Sequence, residues 1–471
     1  MTTLINRTQK TELHHPPGPK GHWLYGTTRA FRRDPLGTMV KMFHEYGDAI
    51  RYRFFANLYG YLFFHPEYNK HILLDNNKNY TKMPHPSLQV LRPLLGNGLV
   101  TSDGEFWRRQ RRLMQPAFHK QRIAEFGAIM TTATEKMLQR WQTAVSADEP
   151  LDVAAEMTRL TLEIVGKALF SVDFTGAAHE LGEAFTKANH LSSELGLKPF
   201  SIYTLRIPFW PSTRRLNRNV QVLHRIVDEM IAVRQANPPA PGTREANDLL
   251  SMLLAARDEE TGVGMDDQQL RDELNTLVLA GHETTAVALS WVICLLGQHP
   301  EVRTQLEHEV DTVLNGRIPT IDDLPQLTFT RMVIDETLRL YPPAYAIARW
   351  GNEPDVIGGY DIPANAVITL SPYITHRHPE FWSEPEKFNP ERFSPERKEN
   401  RHRFAYLPFG GGPRICIGNT FALTEATLIL AMITQQFRLE LPPNHQIEPE
   451  PLITLRPKGG VPVFLRARMN G

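Results

Sequence analysis

The chain has 471 residues, 41% of them hydrophobic, and its 52 basic side chains are balanced by 52 acidic ones. No net charge is left to displace counterions from a nucleic acid, so nucleic-acid binding is excluded and any electrostatic partner must be met by a local patch. Two cysteines cannot build a disulfide framework, and unpaired thiols fit a reducing, cytoplasmic setting.

In chain order, residues 1–15 (MTTLINRTQKTELHH) are polar, hold no apolar run that could serve as a signal peptide or membrane anchor, and are expected to precede one large domain over 16–471. Length alone would allow about three domains. The strongest break, ANPPAPGTREAN (236–247), is instead read as a loop, because the long apolar helix beyond it needs cover from upstream. AIRYRFF (49–55) and YGYLFFH (59–65) predict a hairpin, NAVITLSPY (365–373) a strand, and PLITLRPKGGVPVFLRA (451–467) a closing hairpin turning at Gly-Gly. Amphipathic stretches predict helices over 121–145, 153–170 and 213–235. Asp266 and Gln269 have capping-box spacing ahead of a helix through Gly297, with Pro300 marking its end. The fold class is therefore mainly α with small β-sheets.

Within that helix, 274–296 is long enough for a membrane span, but His282 and Glu283 sit in its middle, which favours burial in protein. Cys294 reads as a small buried hydrophobe. Cys416 differs: FGGGPRICIG (409–418) surrounds it with glycines that bring backbone N–H groups near, and a helix is expected to begin at Asn419 with its positive end toward the sulfur. Both features favour thiolate, as nucleophile or metal ligand. The titratable neighbour, Arg414, cannot act as a base.

FGGGPRICIG resembles the haem-binding signature of the cytochrome P450 family, F-x-x-G-x-R-x-C-x-G, at Phe409, Gly412, Arg414, Cys416 and Gly418. The resemblance implies a single P450 fold with haem b buried between the long central helix and the cysteine loop. It makes Cys416 the axial thiolate ligand of the iron, with Phe409 and Gly418 beside the sulfur and Arg414 at a haem propionate. AGHETT (280–285) is similar to the family's oxygen-activation segment, with Ala280 and Gly281 against the haem and Glu283 and Thr284 as the proton-relaying acid and alcohol. Taken alone, those hydroxyls equally suit a helix whose carbonyls are bonded by side chains. A zinc site is excluded, because Ala286 stands where H-E-x-x-H needs its second histidine. Glu336 and Arg339 in DETLRLYPP, with Arg392 in PERF, match the family's structural E-x-x-R cluster. Trp107 and Arg111 in WRRQRR, and Arg349, are placed at the propionates, two anions that need charge-assisted partners.

The resemblance further implies an external electron donor, a ferredoxin or flavodoxin with its reductase, O₂ as co-substrate, and a monomer without a membrane anchor. The basic run around Arg108 and Arg112 is expected to dock that donor. The segments 83–100, 195–211, 343–348 and the turn at Leu455 are apolar and are expected to face a hydrophobic substrate. Leu88, Leu91, Tyr345, Ala346 and Leu455 would line it, and Arg92 would anchor a carboxylate. The first expectation is a fatty-acid hydroxylase of the soluble bacterial type. Terpenoid, steroid or macrolide hydroxylation shares every motif, and a peroxygenase or haem sensor is the more distant alternative.

Overall fold

The axis of the molecule is the helix Asp267–Gln298. Its start is fixed by the expected capping box: Gln269 N donates to Asp266 Oδ1 at 2.8 Å and Asp266 N donates to Gln269 Oε1 at 3.3 Å. Pro300 opens the next helix, Pro300–Leu314, at a position where a missing N–H costs nothing. Residues 274–279 and 285–296 of the central helix are buried all round. Among the described residues this is the one helix long and apolar enough to cross a membrane, and its apolar run is enclosed by protein. Val153–Phe170, Pro211–Ala236, Thr328–Leu340 and Asn419–Gln436 enclose it.

The computed structural model describes residues 13–468 except 56–57, 146–148, 173–183, 185–186, 193–194, 196–204, 206, 208 and 444–445. Residues 1–12 and most of the expected substrate segment 195–211 lie outside the described residues. The end of the N-terminal extension is docked: His14 N donates to Asp361 Oδ2 at 2.7 Å, and Asp361 N returns a bond to His14 O at 2.7 Å.

The predicted N-terminal hairpin forms as Ala49–Phe55 and Leu58–Phe63, antiparallel with Ala49 opposite Phe63. The second strand then pairs in parallel with Ala366–Leu370, which pairs with Ile347–Gly351, which pairs with Tyr80–Thr81. Arg349 therefore rides on an inner strand. The expected closing hairpin does not form. Leu455–Pro457 pairs with Pro449–Pro451, while Pro462–Ala467 joins Phe437–Glu440 and Leu151–Asp152. Pro457 and Pro462 each lack the N–H that a direct ladder would require. Gly460, at φ +87°, turns the chain against Asp152, where a Cβ would meet the carboxylate at 2.7 Å. The glycines thus separate two sheets.

The E-x-x-R cluster is fully buried. Arg339 Nε and Nη2 donate to the two Glu336 oxygens at 2.7 and 2.8 Å, and Arg392 Nε lies 3.3 Å from Glu336 Oε1. Arg339 also donates to the carbonyls of His376, Pro385 and Lys387, and Asn389 N donates to Glu336. The pair thus fastens 376–392 to the helix Thr328–Leu340. Removing one partner would strand the other charge in the interior. R339A is expected to cost about 3–5 kcal/mol of stability, measured by urea unfolding of the haem-loaded protein.

Candidate functional site

Cys416 sits in a loop closed on itself, its N–H donating to Phe409 O at 2.9 Å. The glycines of the loop have different tasks: the Gly418 N–H acts on the sulfur, as expected of a backbone brought near. Gly412, at φ +66°, packs on the chain at Leu73, where a Cβ would stand 1.8 Å from the Leu73 carbonyl oxygen. Its task is to seat the loop on residues 71–75. The Cys416 thiol is flanked by protein but keeps an open face. Burial pushes its pKa up, opposed by the Gly418 N–H and then by Arg111 and Lys82. The backbone and basic neighbours favour thiolate as the sequence suggested, but burial outweighs them. Ligation to a metal would reverse that balance.

Arg111 Nη1 donates to Ile415 O at 2.7 Å, from the helix Gly104–Met114. Arg414 donates to Ser102 O at 3.0 Å and to Asp103 Oδ1 at 2.5 Å, and its guanidinium lies 4.2 Å above the Trp107 ring. Arg349 is buried, bonds the carbonyl of Ala348, and is pushed down to about 10 by burial and by Arg414. Two residues missed in the sequence join them. Lys82 Nζ donates to Val100 O at 2.8 Å, and burial with Arg414, Arg349 and Arg111 holds its pKa well below the usual value. His85 is buried, with Nε2 unpartnered and its pKa pushed down to about 3 by burial and Arg349. Lys82, Arg349 and Arg414 thus share the Asp103 carboxylate, and Arg111 adds a fourth cation beside them. Such a cluster is electrostatically incomplete without an anion, and two propionates would complete it. The signal in the sequence was a lone lysine and histidine, in TKMPH, at the start of an otherwise apolar stretch.

Midway along the central helix, Ala280 is exposed although Leu277, Val278, Leu279 and His282 are buried. This open face and that of Cys416 suit the two sides of a flat prosthetic group. Thr284 Oγ1 donates to Ala280 O at 2.8 Å, His282 Nδ1 lies 2.6 Å from Val278 O, and Thr161 donates to His282 O at 3.0 Å. Glu283 and Thr284 are not bonded to each other. Glu283 Oε1 accepts from Thr454 Oγ1 and from Arg456 Nη2, each at 2.9 Å. Neither partner was foreseen.

The expected substrate residues divide. Leu88 is half-buried outside the hydrophobic cores, and Ala346 is exposed. Leu91 packs on the main core. Leu455 is a correction: its side chain is fully buried with Ile50, Leu62, Phe64 and Ile374, because alternation along its strand turns it toward that core. Tyr345 packs against the same core and donates to Leu452 O at 3.0 Å. Arg92 is exposed, and its charge acts on Asp272. Of the residues expected to dock a donor, Arg108 pairs with Glu105 and Arg112 with Asp258 and Glu260, and both side chains stay exposed.

The family model described as cytochrome P450 matches residues 16–462. The chain belongs to the cytochrome P450 family. It is similar to cyclooctatin synthase of Streptomyces melanosporofaciens, 38% identical over 442 residues, covering 94% of this chain and 93% of that protein. Pentalenene oxygenase of Streptomyces avermitilis is 34% identical over 441 residues, covering 93% and 94%. The crystal structure of the cytochrome P450DA heme domain matches with a TM-score of 0.87 and 28% identity, over 97% of this chain and 98% of that one. As a P450 monooxygenase, the protein uses haem ligated by a cysteine thiolate, with O₂, a redox partner and a hydrophobic substrate.

Upstream on the central helix, Asp272 accepts from Asn97 N at 2.7 Å and Glu273 from Leu99 N at 2.9 Å, pinning the loop before Asp103. Burial pushes Glu273 from 4.5 up to about 8. Between these values the folded chain keeps a proton that the unfolded chain has lost, so stability falls as pH rises from about 5 to 8 and then levels. E273Q keeps the acceptor for Leu99 N–H and is expected to flatten that slope, measured by denaturant titration across this pH range.

Proposed function

We propose that this P450 hydroxylates an uncharged cyclic terpenoid, on haem b held by Cys416. The observation that carries the substrate class is apolar surface in the expected substrate segments, with no cation among their described residues placed to hold a carboxylate. Ala280, Ala346, Leu88 and Ile453 leave apolar surface outside the hydrophobic cores, while Arg92 turns to solvent near Asp272. A fatty-acid headgroup would then cost its desolvation without a paired charge in return. The names of the two Streptomyces relatives, both terpenoid oxygenases, support the same class.

Bound haem supplies reductive activation of O₂ and transfer of one oxygen atom to a C–H bond. The chain supplies position and protons. Cys416 presents its sulfur from the Phe409-closed loop, with Arg111 across the Ile415 carbonyl. Trp107, Lys82, His85, Arg349 and Arg414 would receive the propionates. Ala280 would give a flat wall, whereas Gly281, expected beside it, packs on Val165, 3.0 Å from where a Cβ would stand. Thr284 holds its hydroxyl on the Ala280 carbonyl, and Glu283 carries a proton inward from the side where Arg456 reaches solvent. Glu336, Arg339 and Arg392 keep the surrounding scaffold in place. Electrons come from a soluble ferredoxin or flavodoxin with its reductase.

Titration of the ferric protein with pentalenene is expected to give a saturable low-to-high-spin shift, and a series of saturated fatty acids none. A shift saturating with one fatty acid only would reassign the substrate class. T284A is expected to lower product formed per NADPH by about tenfold or more while leaving the spin-shift titration unchanged. A fully coupled T284A enzyme would remove Thr284 from the relay.

A further inference from the structure

The acid of the relay is anchored on a turn near the C-terminal sheet. Both hydrogen-bond partners of Glu283, Thr454 and Arg456, belong to the turn Leu452–Arg456. Its remaining contacts are fixed. Leu452 O accepts from Tyr345 OH at 3.0 Å, Leu455 N donates to Pro343 O at 3.0 Å, and Leu455 O accepts from Trp291 Nε1 at 2.8 Å. The Leu455 side chain is locked in the core beside the N-terminal sheet, and the Trp291 ring is stacked 3.8 Å from Tyr341. Ile453 is the exception. It is half-buried and packs into none of the hydrophobic cores, so its side chain is free of the contacts that fix its neighbours.

We propose that this turn couples substrate seating to proton delivery, with Thr454 and Arg456 as positioning residues that hold Glu283 until an apolar substrate bears on Ile453. The inference rests on the monooxygenase reading given above. Ile453 and Thr454 are consecutive and held between fixed points at Leu452 and Leu455, so a displacement of one side chain is passed to the next. Thr454 itself is buried, and its bond to Glu283 is part-buried. The Arg456 bond is partly open, with 29% of the Arg456 side chain accessible, so water screens it and a small displacement can break it. Released, Glu283 can rotate about its own side-chain bonds toward Thr284, its neighbour on the helix. A molecule too small to reach Ile453 would leave the acid parked, and reducing equivalents would be wasted. Coupling would then select substrates as binding alone cannot.

The test uses haem-loaded enzyme. Without substrate, E283A, which removes the acceptor altogether, is expected to raise hydrogen exchange in the turn 452–456 by about threefold or more over wild type. Unchanged exchange would mean that the acid does not hold the turn. With a ligand that gives the spin shift, T454V and R456Q are expected to bind within about twofold of wild-type affinity yet lose about threefold or more of product per NADPH, with an altered solvent isotope effect and restoration by R456K. Full coupling in both variants, or a loss that follows affinity, would overturn the proposal. A protein that binds neither pentalenene nor fatty acids would fail the substrate reading, while the substrate-free exchange measurement would still decide whether the anchor exists.

Discussion

A helix that runs through the middle of a protein carries polar groups that bulk water does not reach, and where they find partners they tie distant segments to it. The central helix carries Asp272, Glu273, His282, Glu283, Thr284 and Thr285 along its buried length, and their settlements organise the surroundings. Asp272 and Glu273 reach sideways to the 97–99 backbone and thereby place Ser102 and Asp103, which in turn hold Arg414. His282 and Thr284 turn back on their own helix. Glu283 cannot, and reaches the C-terminal turn. One unpaid desolvation at any of these points would cost several kcal/mol, a large part of the stability of a typical domain.

The cationic corner obeys the opposite rule. Lys82, Arg111, Arg349 and Arg414 come from four separate segments, and Asp103 offsets three of them. Burial first, and repulsion from neighbouring arginines second, depress the pKa values of Lys82 and Arg349. Binding a dianionic cofactor there relieves repulsion as well as making bonds, so cofactor capture and completion of the fold share one free energy.

Motifs within short windows were legible in the sequence because their geometry is local. The capping box at Asp266 and Gln269, the Glu336 and Arg339 pair, the N-terminal hairpin and the Cys416 loop all stand where their spacing placed them. What stayed hidden depended on distant partners. Arg456 looked like one charge in a hairpin until the strand pairing carried it beside Glu283, 173 residues earlier. Leu455 looked like a pocket residue because alternation along a strand does not say which face meets which neighbour. Arg108 and Arg112 looked like an open basic face because their acids, Glu105 apart, are supplied by the loop at 258–260.

The strand Pro462–Ala467 carries a consequence for synthesis. It is the middle member of its sheet, pairing on one side with residues 151–152 and on the other with 437–440. Residues 151–152 are made about 310 residues before the strand that joins them, whereas 437–440 precede it by only about 22. Through the long interval the edge at 151–152 lacks its partner in this sheet, with main-chain groups open to pairing with neighbouring nascent chains. Closure of the sheet has to wait for residues 462–467, so the interval between synthesis of 152 and of 462 is the one in which a chaperone matters most.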